Sequence, residues 1–134
     1  MASRECEMKL KTHLKIDNSL SGKVICLEEN YAKVVLKTTN IMSVDDEGLV
    51  HGGFCFCAAD FAAMAAVNDP FVVLAKSDVK FLSPLKSGES VEFEAKVIKN
   101  DGRKQSVEVC GKSGEKEVFY GLFYTVILKK HVLL

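Results

Sequence analysis

Asp60 is the residue whose setting in the sequence points most clearly to chemistry. Between residues 54 and 67, 13 of 14 residues are apolar, six of them alanine, and Asp60 is the exception. A carboxylate among apolar side chains is costly unless it is paired or hydrogen-bonded. Burial of this kind raises the pKa of a carboxyl group toward the range that suits a general base. The alternative is structural, with the carboxylate bonded to a backbone group or lying at the edge of the covered face.

Two adjacent glycines, Gly52 and Gly53, precede the same segment. Glycines at a helix start allow a ligand to approach free N–H groups, although a tight turn also requires glycine. Gly53 and Asp60 are seven residues apart, which places them on nearly the same helix face but about 10 Å apart along the axis. One carbonyl group cannot reach both within one chain. If both act on one substrate, two antiparallel copies must share the site.

The other reactive side chains nearby have simpler explanations. His51 precedes the glycines, and a histidine there is more often a turn or packing residue than a catalyst. Cys55 and Cys57 lie about 200° apart on a helix, so they cannot bind one metal together. We predict that both are small core residues, with a nucleophilic role for Cys57 left open because Asp60 is one turn away. Residues 45–47 are predicted to be an exposed acidic loop.

The flanking patterns predict an α+β fold. Alternating apolar residues such as Val91, Phe93 and Ala95 are typical of a strand with one buried face. The segment 54–67 is predicted to be a helix that ends at Asn68, while residues 1–17 form an arm or a short helix. Strands are predicted at residues 20–27, 31–38, 72–82, 91–97, around 107–109 and 118–128. This order favours a curved antiparallel sheet of five or six strands wrapped around one central apolar helix.

A helix that is apolar on all sides must be covered on all sides, which one small sheet cannot do, so we expect a second copy of the chain to pack against it.

The 134 residues fit a single domain, 1–134. The 18 basic and 18 acidic residues balance, so neither nucleic-acid nor membrane binding is expected. The N-terminus has no signal-peptide pattern, and the five cysteines suggest neither a disulfide framework nor a zinc site. A reducing cytoplasm is the expected location.

Residues 48–60 (GLVHGGFCFCAAD) resemble the His-Gly-Gly…Asp signature of hotdog-fold acyl-CoA thioesterases of the phenylacetyl-CoA type. Residues 79–89 resemble the strand and turn that follow the helix in that family. The resemblance implies that Asp60 acts as general base or nucleophile, and that the N–H of Gly53 from the other subunit polarises the thioester carbonyl. His51, as part of the signature, is a third candidate catalytic residue. The chain departs from the family at Asp45, where many relatives have asparagine; a carboxylate beside a developing oxyanion would oppose catalysis.

The leading hypothesis is therefore an acyl-CoA-binding homodimer, possibly a tetramer, that hydrolyses the thioester and needs no cofactor or metal. Lys76 and Lys80 are further candidates, like Lys86, for contact with the CoA phosphates. The alternative is a non-catalytic acyl-CoA sensor, because residues 75–81, 86–89 and 118–123 are also similar to the effector domain of the malonyl-CoA-sensing repressor of bacterial lipid synthesis. That repressor has an amide in place of Asp60. The candidate substrate-binding residues are Gly52, Phe54, Asp45, Ser77 and Lys86.

Overall fold

The computed structural model describes Cys6 and residues 8–134, and within them six strands form one antiparallel sheet. The strands are β1 (Lys23–Glu28), β2 (Tyr31–Lys37), β3 (Val72–Phe81), β4 (Ser90–Asp101), β5 (Lys104–Ser113) and β6 (Lys116–Ile127). A one-turn helix, α1 (Asn18–Ser21), precedes β1, a 3-10 turn spans Asn40–Met42, and the long helix is α2 (Gly52–Val67). The predicted order of two strands, one helix and four strands is confirmed.

Strand alternation decides which face of the sheet meets the helix. In β4, Val91, Phe93 and Ala95 are fully buried, whereas Glu92 and Lys96 on the opposite face are exposed. The buried set continues through β5 and β6 and packs, with α2, into one hydrophobic core. A period of two is what a strand with one solvated face requires, so the apolar residues of each strand point toward α2.

Helix α2 forms where alanine, the best helix former, is the commonest residue. Its small side chains let the sheet approach closely, and most of the helix is buried. The helix ends at Asn68, which adopts the left-handed conformation with φ 53° and donates its backbone N–H to the carbonyl of Met64. The buried residues are Cys55, Ala58, Ala59, Phe61, Ala62, Ala63, Met64, Ala65 and Ala66.

The helix also carries the chain across the sheet. The strand order is β1-β2-β4-β5-β6-β3, so the chain leaves β2, passes through α2 and returns at the far edge as β3. There β3 pairs with β6 along nearly its whole length, from Val72 opposite Ile127 to Phe81 opposite Phe119. A curved antiparallel sheet around one central helix is the hotdog fold, as the sequence predicts.

The start of the fold differs from the prediction in detail. The first strand was expected from Leu20, but β1 begins at Lys23 because the preceding residues form α1. Asp17 caps this turn by accepting a hydrogen bond from the N–H of Ser19 at 2.9 Å. The described residues up to Asp17 contain no helix and form an arm. Residues 1–5 and 7 of the predicted arm lie outside the described part.

A disulfide bond joins Cys6 to Cys26, so the prediction of no disulfide is wrong. Cys6 lies in the N-terminal arm and Cys26 in β1, 20 positions later. The spacing of cysteines in the sequence does not reveal this pair, because the arm must first fold back along β1. The N–H of Met8 donates to the carbonyl of Leu27 at 3.3 Å, which holds the arm beside that strand.

Within the described residues, no helix has both the length and the hydropathy needed to span a lipid bilayer. Helix α2 has 16 residues, where a span needs about 20. The cytoplasmic location stays a prediction.

Candidate functional site

The carboxyl group of Asp60 lies on the side of α2 that the sheet leaves least covered. On this side of the helix Gly53 is exposed, and Phe56, Asp60 and Val67 are only half-buried. The Oδ1 atom of Asp60 is buried and has no hydrogen-bond partner among the described residues. Burial raises the pKa of this carboxyl group from 3.8 to about 6. Of the two structural explanations considered for Asp60, a hydrogen bond to a backbone group does not account for this oxygen, whereas a position at the edge of the covered face agrees with its half-buried side chain.

The N-terminus of α2 provides unbonded amides on the same side of the helix. The first N–H groups of a helix have no partner within it, and the side chain of His51, the N-cap residue, makes no capping bond. The ring of His51 instead packs edge-on against Phe54, with centroids 6.1 Å apart. The amides of Gly52 and Gly53 thus lie where the helix dipole favours a partial negative charge.

Each of the two glycines makes room for an aromatic ring. A Cβ atom at Gly52 would lie 3.2 Å from the ring of Phe81, and one at Gly53 would lie 3.0 Å from Nε2 of His51. Gly52 also lines a cavity of about 220 Å³. Its lining is largely apolar and consists of Val50, Gly52, Cys55, Phe81, Leu82, Ser83, Pro84, Leu85 and Val118.

Asp45 lies in the exposed loop before the helix, and its carboxylate is bonded within that loop. One carboxylate oxygen accepts hydrogen bonds from the N–H of Glu47 at 3.0 Å and from the N–H of Leu49 at 3.2 Å. This arrangement is an Asx turn, which the side chain of asparagine also forms. The prediction of an exposed acidic loop is confirmed, whereas a substrate contact for Asp45 stays a prediction.

The remaining candidate binding residues are not gathered at the helix N-terminus. Ser77 is half-buried in β3 opposite Phe123. Lys86 is exposed on the loop after β3, beside a cavity of about 360 Å³ near Leu49. Lys76 is also on β3, with its Nζ 5.4 Å from the ring centroid of Tyr124. Their contacts with a CoA ester stay predictions.

The cysteines of α2 behave as core residues. Cys55 is buried, and burial raises the pKa of its thiol to about 11, so the thiol is neutral near physiological pH. Cys57 is half-buried, and its sulfur lies 3.3 Å from the hydroxyl of Ser21 in α1. Neither arrangement activates a nucleophile.

Sequence reasoning missed Phe81 and the cavity beside it. Phe81 ends the edge strand, is 56% exposed, and contacts Gly52, which is 29 positions earlier in the sequence. The sequence shows only that an apolar residue lies at the end of a predicted strand. It does not indicate which helix or strand that residue contacts.

The family model of the thioesterase superfamily matches residues 47–120, more than half of the chain. The chain belongs to the thioesterase superfamily. The matched region runs from the loop before α2 into β6 and thus includes the helix N-terminus and Asp60.

Two curated relatives extend beyond the part that this chain matches. Methylthioribose-1-phosphate isomerase from Aquifex aeolicus is 51% identical over 121 residues, which are 90% of this chain but 26% of that protein. Transcription factor FapR from Caldanaerobacter subterraneus subsp. tengcongensis is 29% identical over 126 residues, which are 93% of this chain and 62% of that protein. The chain therefore spans less than two thirds of either relative.

Solved structures agree with the fold over nearly the whole chain. An uncharacterized protein from Pyrococcus horikoshii has a TM-score of 0.94 and 46% identity, covering 95% of this chain and 98% of that one. A mutant of the phenylacetic acid degradation protein PaaI from Thermus thermophilus has a TM-score of 0.75 and 26% identity, covering 83% and 96%.

Proposed function

We propose that this chain is a homodimeric acyl-CoA thioesterase in which Asp60 is the catalytic carboxylate. The observation that carries the proposal is the buried Oδ1 of Asp60, which has no hydrogen-bond partner within the described chain and belongs to a carboxyl group whose pKa is raised to about 6. A base with a pKa near 6 is mostly deprotonated at neutral pH and still accepts a proton readily. Membership of the thioesterase superfamily supports hydrolysis of a thioester as the reaction.

In the proposed reaction, Asp60 removes a proton from water as the water oxygen attacks the thioester carbonyl. The carbonyl oxygen becomes an oxyanion, which accepts a hydrogen bond from the N–H of Gly53. The carbon–sulfur bond then breaks, the CoA thiolate leaves, and a proton returns to it. Preorganised backbone donors of this type supply a large part of the rate enhancement in acyl transfer.

The two groups must come from different copies of the chain. Gly53 and Asp60 are separated by about 10 Å along the axis of α2, since each residue adds about 1.5 Å. A two-fold dimer with antiparallel helices would bring Gly53 of the partner subunit to Asp60. Strand β3 is a sheet edge, so it supplies a surface through which two copies can pair.

The cavity beside Gly52 is the proposed position of the acyl group. Its lining is largely apolar and includes Gly52, the residue before the Gly53 amide that would bind the carbonyl oxygen. The charged end of CoA would then lie outside the cavity, within reach of exposed lysines such as Lys86.

Hydrolysis of a panel of acyl-CoA esters by the purified protein tests the reaction. We expect turnover by the wild type and a loss on the order of 10² or more in kcat for Asp60→Asn, which cannot accept the proton. Asp101→Asn is the matched control, because Asp101 is an exposed acid in the β4–β5 turn. Equal rates for wild type and Asp60→Asn would contradict the mechanism.

Mixing two inactive variants tests the shared site. Gly53→Pro removes the N–H donor, and a proline in the first turn is compatible with a helix. In a mixed dimer of Asp60→Asn with Gly53→Pro, one site regains both native groups and the other loses both. Random reassortment should restore up to about a quarter of the wild-type activity, given two-fold symmetry. If each chain supplies its own pair, mixing restores nothing.

A second candidate is a regulatory protein that binds acyl-CoA without hydrolysing it. The observation in its favour is the match to transcription factor FapR over 93% of this chain. Binding of acyl-CoA esters with no turnover of any of them would favour this function. The isomerase match is not a basis for a proposal, because it leaves three quarters of that protein unmatched.

A further inference from the structure

We propose that Cys6 and Cys26 form a reversible thiol–disulfide site that locks the described N-terminal arm, Cys6 and residues 8–17, onto β1 and the end of α2. The site lies outside the proposed catalytic centre and does not depend on its chemistry. Cys6 is exposed, whereas Cys26 is 8% exposed on the edge strand β1. Their Cα atoms are 4.6 Å apart, within the range that a disulfide bridges.

The arm makes specific contacts with the end of α2. The side chain of Asn68 accepts a hydrogen bond from the N–H of Lys11 at 2.7 Å and donates one to the carbonyl of Lys9 at 2.9 Å. Further along, Thr12 is buried and the ring of His13 lies 6.0 Å from that of Phe61, centroid to centroid. The arm is therefore docked along its length, and the disulfide fixes its beginning.

The exposure of Cys6 makes the bond open to exchange. Exchange requires a thiolate to reach a disulfide sulfur, so an accessible disulfide is reduced more readily than a buried one. In the oxidising direction, a Cys6 thiolate attacks glutathione disulfide and releases one glutathione. The Cys26 thiolate then displaces the second glutathione and forms the Cys6–Cys26 bond. Two protein thiols are oxidised, and one glutathione disulfide is reduced to two glutathiones.

Closure of the bond restricts the arm because it makes a ring of the chain from Cys6 to Cys26. In the reduced protein, the contacts between the described start of the arm and β1 include the Met8 to Leu27 hydrogen bond at 3.3 Å, which is long for a bond of this type. The start of the arm should then detach from β1 more often, and the bonds to Asn68 should open with it. Reduction therefore exposes the arm without unfolding the sheet.

The same residues also form a possible metal cluster. The sulfur atoms of Cys6 and Cys26 and a carboxylate oxygen of Glu28 all lie within 4.8 Å of one another. Two thiolates and a carboxylate can bind Zn²⁺, and metal binding would keep both thiols reduced. The experiment must therefore distinguish a disulfide from a metal site.

Limited digestion with trypsin measures the state of the arm, because Lys9, Lys11 and Lys15 are exposed cleavage positions in it. The full chain is equilibrated with glutathione disulfide or with dithiothreitol, digested, quenched, fully reduced and analysed by mass spectrometry. Intact mass under non-reducing conditions reports the loss of two hydrogen atoms when the disulfide forms. Cys6→Ser is the test variant, and Cys110→Ser is the matched control, since Cys110 is a free, half-buried thiol on the sheet.

We expect the oxidised wild type and Cys110→Ser to be cleaved in the arm at least about tenfold more slowly than their reduced forms, because the ring suppresses local opening. Cys6→Ser should be cleaved at the fast rate in both conditions. Equal cleavage of oxidised and reduced wild type would overturn the proposal. Retention of both thiols with Zn²⁺ bound, after incubation with Zn²⁺ and glutathione disulfide, would also overturn it.

Discussion

The imidazole of His51 packs so closely against Gly53 that a side chain at position 53 would have to displace the ring. A Cβ atom at Gly53 would lie 3.0 Å from Nε2 of the ring. His51 is exposed, so a larger residue at position 53 can displace its ring without disturbing the core. Steric changes at Gly53 should therefore affect the site more than the stability of the fold.

Comparison of Gly53→Ala with Gly53→Pro separates the role of the amide from the role of space. Both variants add a Cβ near His51, but only proline removes the N–H. We expect kcat for Gly53→Pro to be lower than for Gly53→Ala by about 10²-fold, the usual effect of losing one oxyanion donor. Steady-state kinetics with one acyl-CoA ester measures this difference. Similar kcat values for the two variants would exclude the amide from the mechanism.

The pH dependence of hydrolysis should follow the ionisation of Asp60. Its carboxyl group, with a pKa of about 6 in the folded protein, must be deprotonated to act as a base. We expect kcat/KM to rise with pH up to about 6 and then level off, because the free enzyme's essential base sets this limb. The residual activity of Asp60→Asn should lack this limb. A profile of wild type identical to that of the variant would rule out Asp60 as the titrating group.

Asp60 should also make stability depend on pH. Its pKa is 3.8 unfolded and about 6 folded, so folding favours the protonated form. Stability is therefore highest below the unfolded pKa and is lost as pH rises from about 4 to about 6. The loss should be on the order of 3 kcal/mol, from a shift of about two pKa units. Denaturant unfolding across this range should show a smaller decrease for Asp60→Asn, and parallel curves for the two proteins would contradict the burial of the charge.

Asn68 ends α2 in the left-handed conformation and also forms two hydrogen bonds with the arm. Two substitutions can separate these roles. Asn68→Gly keeps the left-handed helix end but loses both bonds to the arm, and we expect a loss of about 2 kcal/mol from two hydrogen bonds. Asn68→Ala should cost about 1 kcal/mol more, because alanine adopts a positive φ less readily than glycine. Equilibrium unfolding measures both values. Equal stabilities of the two variants would show that the backbone conformation at this position carries no cost.

Much of the fold can be predicted from residues that obey a local rule. The alternation around Phe93 identifies a strand because it reflects the pleat of the backbone, and Gly102 marks the β4–β5 turn, where its φ is 82°. The alanine-rich stretch identifies α2, and Asp60 stands out within it as the one charged residue. These features depend on neighbours in the sequence, so a single sequence contains them.

Features that depend on distant contacts could not be predicted. The Cys6–Cys26 bond, the contact of Phe81 with Gly52 and the docking of the arm on Asn68 each join parts of the chain that only the folded sheet brings together. The turn formed by Asp45 shows the same limit at shorter range. The sequence predicts that Asp45 lies in an exposed loop, but not that its carboxylate accepts hydrogen bonds from the N–H groups of Glu47 and Leu49.

The two edge strands of the sheet, β1 and β3, differ in what contacts their outer sides. The arm is bonded to β1 through Leu27 and Cys26, while no strand of the described chain pairs with the outer side of β3. The outer side of β3 is therefore the sheet edge more open to a strand from another molecule. Two copies that pair through β3 would cover this edge in both, as the proposed dimer requires.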